Sequence, residues 1–127
     1  MEIKLRHVIF ILILITILHI SAGLFSWYET RIVWVDNLQH VLAGIAFAML
    51  FLLIRRKNEH NVFLMIGFVL LIAMLWELFE FLFLQFLPFY AQKFSLYSPT
   101  FLEAGEDILS NVIGGIVFAI WNFGRKR

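Results

Sequence analysis

The chain of 127 residues is 62% hydrophobic and 15% charged, contains no cysteine and carries a formal net charge of +1. Soluble domains are about half apolar and about a quarter charged, and so short a domain has too much surface for its volume to bury this many apolar side chains. These figures exclude a water-soluble enzyme and, because the net charge is small, a nucleic-acid-binding protein. The lack of cysteine excludes disulfides, thiolate metal sites and thiol catalysis.

Four continuous apolar stretches are long enough to cross a membrane, which takes about 20 residues for about 30 Å of hydrocarbon. They run over residues 8–27, 36–54, 62–87 and 107–123. We therefore predict an all-α fold in which residues 1–127 form a single integral membrane domain, a four-helix transmembrane bundle. Such a chain is a multi-pass protein of the cell membrane, in contact with membrane lipid, and assembly into a homo-oligomer stays open.

The basic residues predict the orientation of the bundle, because cytoplasmic connections are enriched in Lys and Arg. Basic clusters precede the first span, join the second to the third, and follow the fourth. Their members are Lys4 and Arg6, then Arg55, Arg56 and Lys57, then Arg125, Lys126 and Arg127. The other two connections contain only Arg31 and Lys93. We therefore expect both termini to be cytoplasmic.

Polar side chains occur inside all four spans, where they are costly and commonly mark function. They are His19 in the first span, Asp36 and His40 in the second, Glu77 and Glu80 in the third, and Asp107 and Asn111 in the fourth. Pairs three or four residues apart share one face of a helix. At a rise of 1.5 Å per residue, all of them reach a similar depth in the outer half of the membrane. This coincidence predicts one shared polar site.

Some of these residues also have a structural interpretation. Asp36 and Asp107 could cap the N-termini of their helices, and His19 could be a packed core histidine. Neither interpretation suits Glu77 and Glu80, which are followed by four large apolar residues, Phe81-Leu82-Phe83-Leu84. These carboxylates are expected to face a partner group, a wet cavity or a bound ion.

The acids of this site pose a problem of charge. Together Asp36, Glu77, Glu80 and Asp107 carry −4 when ionised, and like charges close together in a low dielectric do not all remain ionised. Either some are protonated or a cation is bound. A divalent metal such as Mg²⁺, Mn²⁺, Zn²⁺ or iron would suit carboxylates with one imidazole, which makes Asp36, His40, Glu77, Glu80 and Asp107 candidate ligands. The candidate catalytic residues are Glu77, Glu80, His40 and Asp107, supported by Asn111 and His19.

The connection over residues 88–105 is rich in aromatic residues and is expected to lie in the outer interface, above the polar site. It contains Phe89, Tyr90, Phe94, Tyr97, Pro99 and Phe101. It would serve as a lid, as a contact for lipid head groups, or as a passive amphipathic connector.

Three motifs together resemble those of the VanZ-like proteins and of the related YjdF-like family of small polytopic membrane proteins. They are Asp36-x-x-x-His40, Glu77-x-x-Glu80 and Asp107-x-x-x-Asn111-x-x-Gly114, and they extend over most of the chain. The resemblance implies a protein of the cell envelope, with a loose link to glycopeptide (teicoplanin) resistance for VanZ itself. It implies no particular reaction.

Three functions remain open at this stage. The first is a membrane-embedded enzyme that acts on a lipid or lipid-linked envelope substrate, with the acids and His40 as acid–base or metal-binding groups. The second is a proton- or cation-coupled transport or relay protein in which the same acids protonate reversibly. The third is a non-catalytic membrane partner protein whose polar core holds the bundle together.

Overall fold

The fold consists of helices throughout the described part of the chain. A computed structural model describes residues 3–25, 34–55, 61–96 and 100–124. The helices are α1 (Leu5–Leu24), α2 (Trp34–Ile54), α3 (Val62–Phe86), α4 (Pro88–Lys93) and α5 (Phe101–Gly124). Four of them, α1, α2, α3 and α5, are each long and apolar enough to cross a membrane. The prediction of an all-α protein with four membrane-spanning helices is confirmed, and no strand occurs within these ranges.

The four long helices alternate in direction. A buried cluster joins the beginnings of α1 and α3 to the ends of α2 and α5, with Val8, Met65, Phe51 and Phe118 among its members. Lys4, Arg6 and Arg55 flank the helix ends at this side of the bundle, which we call the basic end. At the opposite end, α2 and α5 begin and α1 and α3 finish.

Helix α2 is the centre of the bundle, because it packs against α1, α3 and α5. Helix α1 packs against α2 alone among the described helices, whereas α5 also packs against α3. Since α1 does not pack against α5, a space remains between them on one side of α2.

The backbones of α2 and α5 touch where they cross. A Cβ atom added at Gly44 would fall on the carbonyl oxygen of Asn111, and one added at Gly114 would fall on that of Val41. Small residues permit this close approach of membrane helices, which is stabilised by van der Waals contact. The crossing therefore depends on two glycines, one from each helix.

The connection predicted over residues 88–105 is more helical than expected. Helix α4 ends in a turn in which Ser95 has a φ of 51°, and the Leu96 N–H donates to the Ala91 carbonyl at 2.9 Å. The fourth span begins at Phe101 instead of residue 107, because the Thr100 side chain accepts a hydrogen bond from the Glu103 N–H at 3.2 Å and so caps the first turn. Tyr97 and Pro99 lie outside the described residues.

Substitution at the crossing should destabilise the bundle. Because the added methyl of Gly44→Ala meets backbone rather than a flexible side chain, we expect the free energy of unfolding to fall by about 1–3 kcal/mol. Thermal unfolding in detergent would measure it. Gly67→Ala in α3 is the matched control, since its Cβ meets nothing within 4 Å. Equal stability of the two variants would contradict the close contact.

The orientation can be tested by single-cysteine labelling, since the natural chain has no cysteine. Ser98→Cys lies between the third and fourth spans, and Asn58→Cys lies between the second and third. With both termini cytoplasmic, an impermeant maleimide added to intact cells should label the first variant only. Labelling of Asn58→Cys alone would establish the opposite orientation.

Candidate functional site

The four long helices bring polar side chains to a similar level, at the end opposite the basic end. His40 and Asp107 each lie six residues after the start of their helices, α2 and α5, and Glu80 lies six residues before the end of α3. At a rise of 1.5 Å per residue, each is about 9 Å from that end of its helix. His19 is five residues before the end of α1. The helices therefore place all four residues at comparable depth.

His40 lies between two carboxylates. Its Nε2 is 3.5 Å from Oδ1 of Asp107 on α5 and 3.8 Å from Oδ1 of Asp36, one turn earlier on α2. Asp107 is buried, at 6% exposure, whereas the Asp36 side chain is 45% exposed. The imidazole of His40 therefore lies between one buried carboxylate and one more exposed carboxylate.

Asn111 determines the tautomer of His40. The Asn111 Nδ2 donates to the Asp107 carbonyl oxygen at 3.0 Å and lies 2.9 Å from the His40 Nδ1. An amide nitrogen only donates, so the His40 Nδ1 must be the acceptor. A neutral imidazole with an accepting Nδ1 carries its proton on Nε2. The Nε2–H of His40 is thus directed to the side of the two carboxylates.

The close crossing of α2 and α5 explains why the hydrogen bond between Asn111 and His40 forms. Gly44 lies one turn after His40 on α2 and lets the backbone of Asn111 approach. With a larger residue at Gly44, α5 would move away and the amide of Asn111 would lose its reach to the imidazole. The hydrogen bonding of His40 therefore depends both on Gly44 of α2 and on Asn111 of α5, which are far apart in the sequence.

A cavity of about 610 Å³ opens beside this group. All four long helices and the turn after α4 contribute to its wall. Its carboxylates are those of Asp36, Glu80, Glu103, Glu106 and Asp107, and its apolar members include Leu12, Ile15, Ala43, Phe47, Trp76 and Leu96. No lysine or arginine among the described residues lines it. The cavity wall therefore combines carboxylates with apolar side chains.

The two glutamates of α3 have different positions. Glu80 is buried, lines the cavity and accepts a hydrogen bond from the Trp76 indole Nε1–H at 2.7 Å. Glu77 is half-buried and is not part of the cavity wall. Only one member of the pair predicted from sequence thus reaches the site.

His19 links α1 to the segment that follows α4. Its Nε2–H donates to the Phe94 carbonyl oxygen at 2.8 Å, and the side chain also lines the cavity. Gln92 at the end of α4 and Ser95 and Leu96 after it complete this part of the wall. His19 therefore supports the cavity through a hydrogen bond between separate parts of the chain.

Three of the five predicted metal ligands come together. Asp36, His40 and Asp107 each offer one ligand atom, and these atoms lie within 4.8 Å of one another, whereas Glu77 and Glu80 are outside the group. A metal would need the lone pair of the His40 Nε2, which carries the proton while Asn111 donates to Nδ1. Metal binding here would therefore require the Asn111–His40 hydrogen bond to break.

Among the site residues that were missed in the sequence, Trp76 and Glu103 each had a signal. Trp76 lies four residues before Glu80, which is one helical turn and suits an indole–carboxylate hydrogen bond. Glu103 belongs to a Thr100-x-x-Glu103 sequence, which is typical of a helix N-terminus. That pattern would have placed Glu103 in the first turn of α5, close to the site.

Fold and site together define a polytopic membrane protein with an acidic, histidine-containing cavity near one end of its bundle. A family model described as "Predicted membrane protein (DUF2238)" matches residues 1–127, so the chain belongs to this family. No curated protein and no solved structure matches the chain.

The role of Asn111 can be tested through the tautomer of His40. In Asn111→Leu the donor to Nδ1 is lost, so the Nε2–H form should no longer dominate. Nitrogen-15 chemical shifts of labelled histidine would show an accepting Nδ1 in the natural protein and a changed pattern in the variant. His7 is the internal control, because its Nδ1 accepts from the Lys4 N–H at 3.1 Å in a different part of the bundle. An unchanged His40 spectrum would contradict the assignment.

Proposed function

We propose that the protein is a VanZ-like or YjdF-like envelope protein that acts on a lipid or lipid-linked envelope substrate, whose head group enters the acidic cavity. One observation carries the proposal: the Nε2–H of His40 lies between Asp36 and Asp107, at the wall of a cavity large enough for a head group. A polar core that only held helices together would be filled by its own side chains.

The packing of α1 supports entry from the lipid. Because α1 contacts only α2 among the described helices, we infer that a lipid would enter the cavity laterally, between α1 and α5. Leu12 and Ile15 of α1 and Phe47 of α2 supply apolar wall, which suits the first segments of a lipid chain. The polar part of the same molecule would then reach His40.

The residues are suited to proton transfer. Asp107 is a buried carboxylate that would accept a proton from an O–H or N–H group of the substrate. The neutral imidazole of His40 would donate a hydrogen bond from Nε2 to the adjoining substrate oxygen, as neutral imidazoles do when they polarise a reacting group. Trp76 donates a hydrogen bond to Glu80, which also lines the cavity and would bind the head group.

The basic end of the bundle disfavours a proton or cation relay. Its centre is filled by apolar side chains, including Val8, Met49, Phe51, Met65 and Phe118. A relay across the membrane needs a chain of titratable or hydrated groups, and the described residues form none through this cluster. From the positive-inside rule we expect the basic end to face the cytoplasm and the cavity to lie in the outer half of the membrane.

The proposal predicts a lipid phenotype. His40→Gln and Asp107→Asn remove the donor and the proton acceptor, so turnover should fall by about 100-fold or more. Extracted envelope lipids, compared by mass spectrometry, should resemble those of cells that lack the protein. Both variants should be present in the membrane at natural levels.

Matched controls separate this loss from a general effect of substitution. His7→Gln makes the same change as His40→Gln, and Glu59→Gln removes one acidic charge from the connection after α2. In cells that lack the natural protein, both control variants should restore the natural lipid profile. If properly inserted His40→Gln and Asp107→Asn restored it as well, an enzyme built on these residues would be excluded.

A further inference from the structure

We propose that the cavity selects a primary ammonium group, carried by the head group of its lipid. This inference rests on the proposed function and names the chemical class of its substrate. Three features of the wall lead to it: the sign of its charge, an acceptor that needs a donor, and the hydrogen bonding of His40.

The charge of the wall favours a cation. Its five carboxylates have a formal total of −5, and no lysine or arginine of the described residues lies among them. An imidazole whose Nδ1 accepts a hydrogen bond, as that of His40 does from Asn111, carries no positive charge. An anionic head group would be repelled, whereas a cation would allow neighbouring carboxylates to remain ionised.

A buried acceptor indicates that the ligand is a hydrogen-bond donor. Asn111 is 2% exposed and belongs to the cavity wall, and its Oδ1 accepts no hydrogen bond from the described residues. Leaving a buried carbonyl oxygen without a donor is costly, so such atoms are generally paired. A primary ammonium has three N–H donors and no acceptor, and thus complements this oxygen and the carboxylates.

The hydrogen bonding of His40 suits an ammonium better than a metal ion. A metal would need the lone pair of the His40 Nε2, which carries the proton while Asn111 donates to Nδ1. An ammonium would use only the carboxylate oxygens of Asp36 and Asp107, which lie with that nitrogen within 4.8 Å of one another.

The remaining wall suits the rest of such a lipid. Trp76 lies in the wall, where an indole can attract a cation, and Phe47 and Leu12 supply apolar contact for the chain. A quaternary ammonium would interact with the indole but would lack N–H donors for Asn111 and the carboxylates. The cavity should therefore distinguish primary from quaternary ammonium head groups.

Lipid binding to the purified full-length protein tests the inference. Native mass spectrometry from detergent micelles would measure binding of phosphatidylethanolamine, phosphatidylcholine and phosphatidylglycerol with identical short acyl chains. We expect phosphatidylethanolamine to bind at least about tenfold more tightly than the other two, the difference typical of one charge-assisted hydrogen bond. Equal or tighter binding of phosphatidylglycerol would overturn the proposal.

Variants locate the binding at the carboxylates. Asp107→Asn should weaken phosphatidylethanolamine binding by about tenfold or more, and Glu59→Gln should leave it unchanged. If Asp107→Asn fails to fold, Asp36→Asn replaces it, because that side chain is 45% exposed and tolerates change more readily. Unchanged affinity in a folded variant of either residue would overturn the site.

Two competitors separate the sources of positive charge. Free ethanolamine should displace the lipid only at far higher concentration, and displacement at equal concentration would assign the site to a soluble amine. Displacement by equimolar MnCl2 would assign it to a divalent cation and overturn the ammonium. Phosphatidylglycerol binding that depends on His40 and Asp107 would overturn this inference but leave the proposed function standing, whereas binding of none of the three lipids would contradict both.

Discussion

The contact between the backbones of α2 and α5 is the constraint on which the site depends. Gly44 and Gly114 bring the two helices together so closely that no side chain fits between them. At this separation the Asn111 amide spans from its own helix to the His40 imidazole. The protonation of one histidine nitrogen is thereby determined by van der Waals packing of two glycines on different helices.

The cavity follows from the unequal packing of the other helices. Because α3 and α5 both pack against α2 and against each other, three helices form a closed unit, and α1 is attached on one side only. The hydrogen bond from His19 to the Phe94 carbonyl holds the far end of α1 near the segment after α4 without closing the space. The cavity with its carboxylates therefore lies between α1 and the unit of three helices.

Much of this arrangement could be predicted from helical geometry. Length and hydropathy predicted four spans, and a constant rise per residue brought His40, Glu80 and Asp107 to one level. The rotation of each helix about its own axis was harder to predict, because it depends on which faces of the helices pack together. The Glu77–Glu80 pair shows the difficulty: three residues apart, the two share a side of α3, yet only Glu80 reaches the cavity.

The sequence by itself determined the membrane-spanning fold, since the free energy of placing apolar helices in hydrocarbon depends on composition and length alone. It also marked the polar residues, because each is costly in its own span. The tertiary structure decided which of them meet and in which hydrogen-bonding state. A sequence places His40 and Asn111 far apart, and only the packing of α5 on α2 makes the amide a donor to Nδ1 and leaves the proton on Nε2.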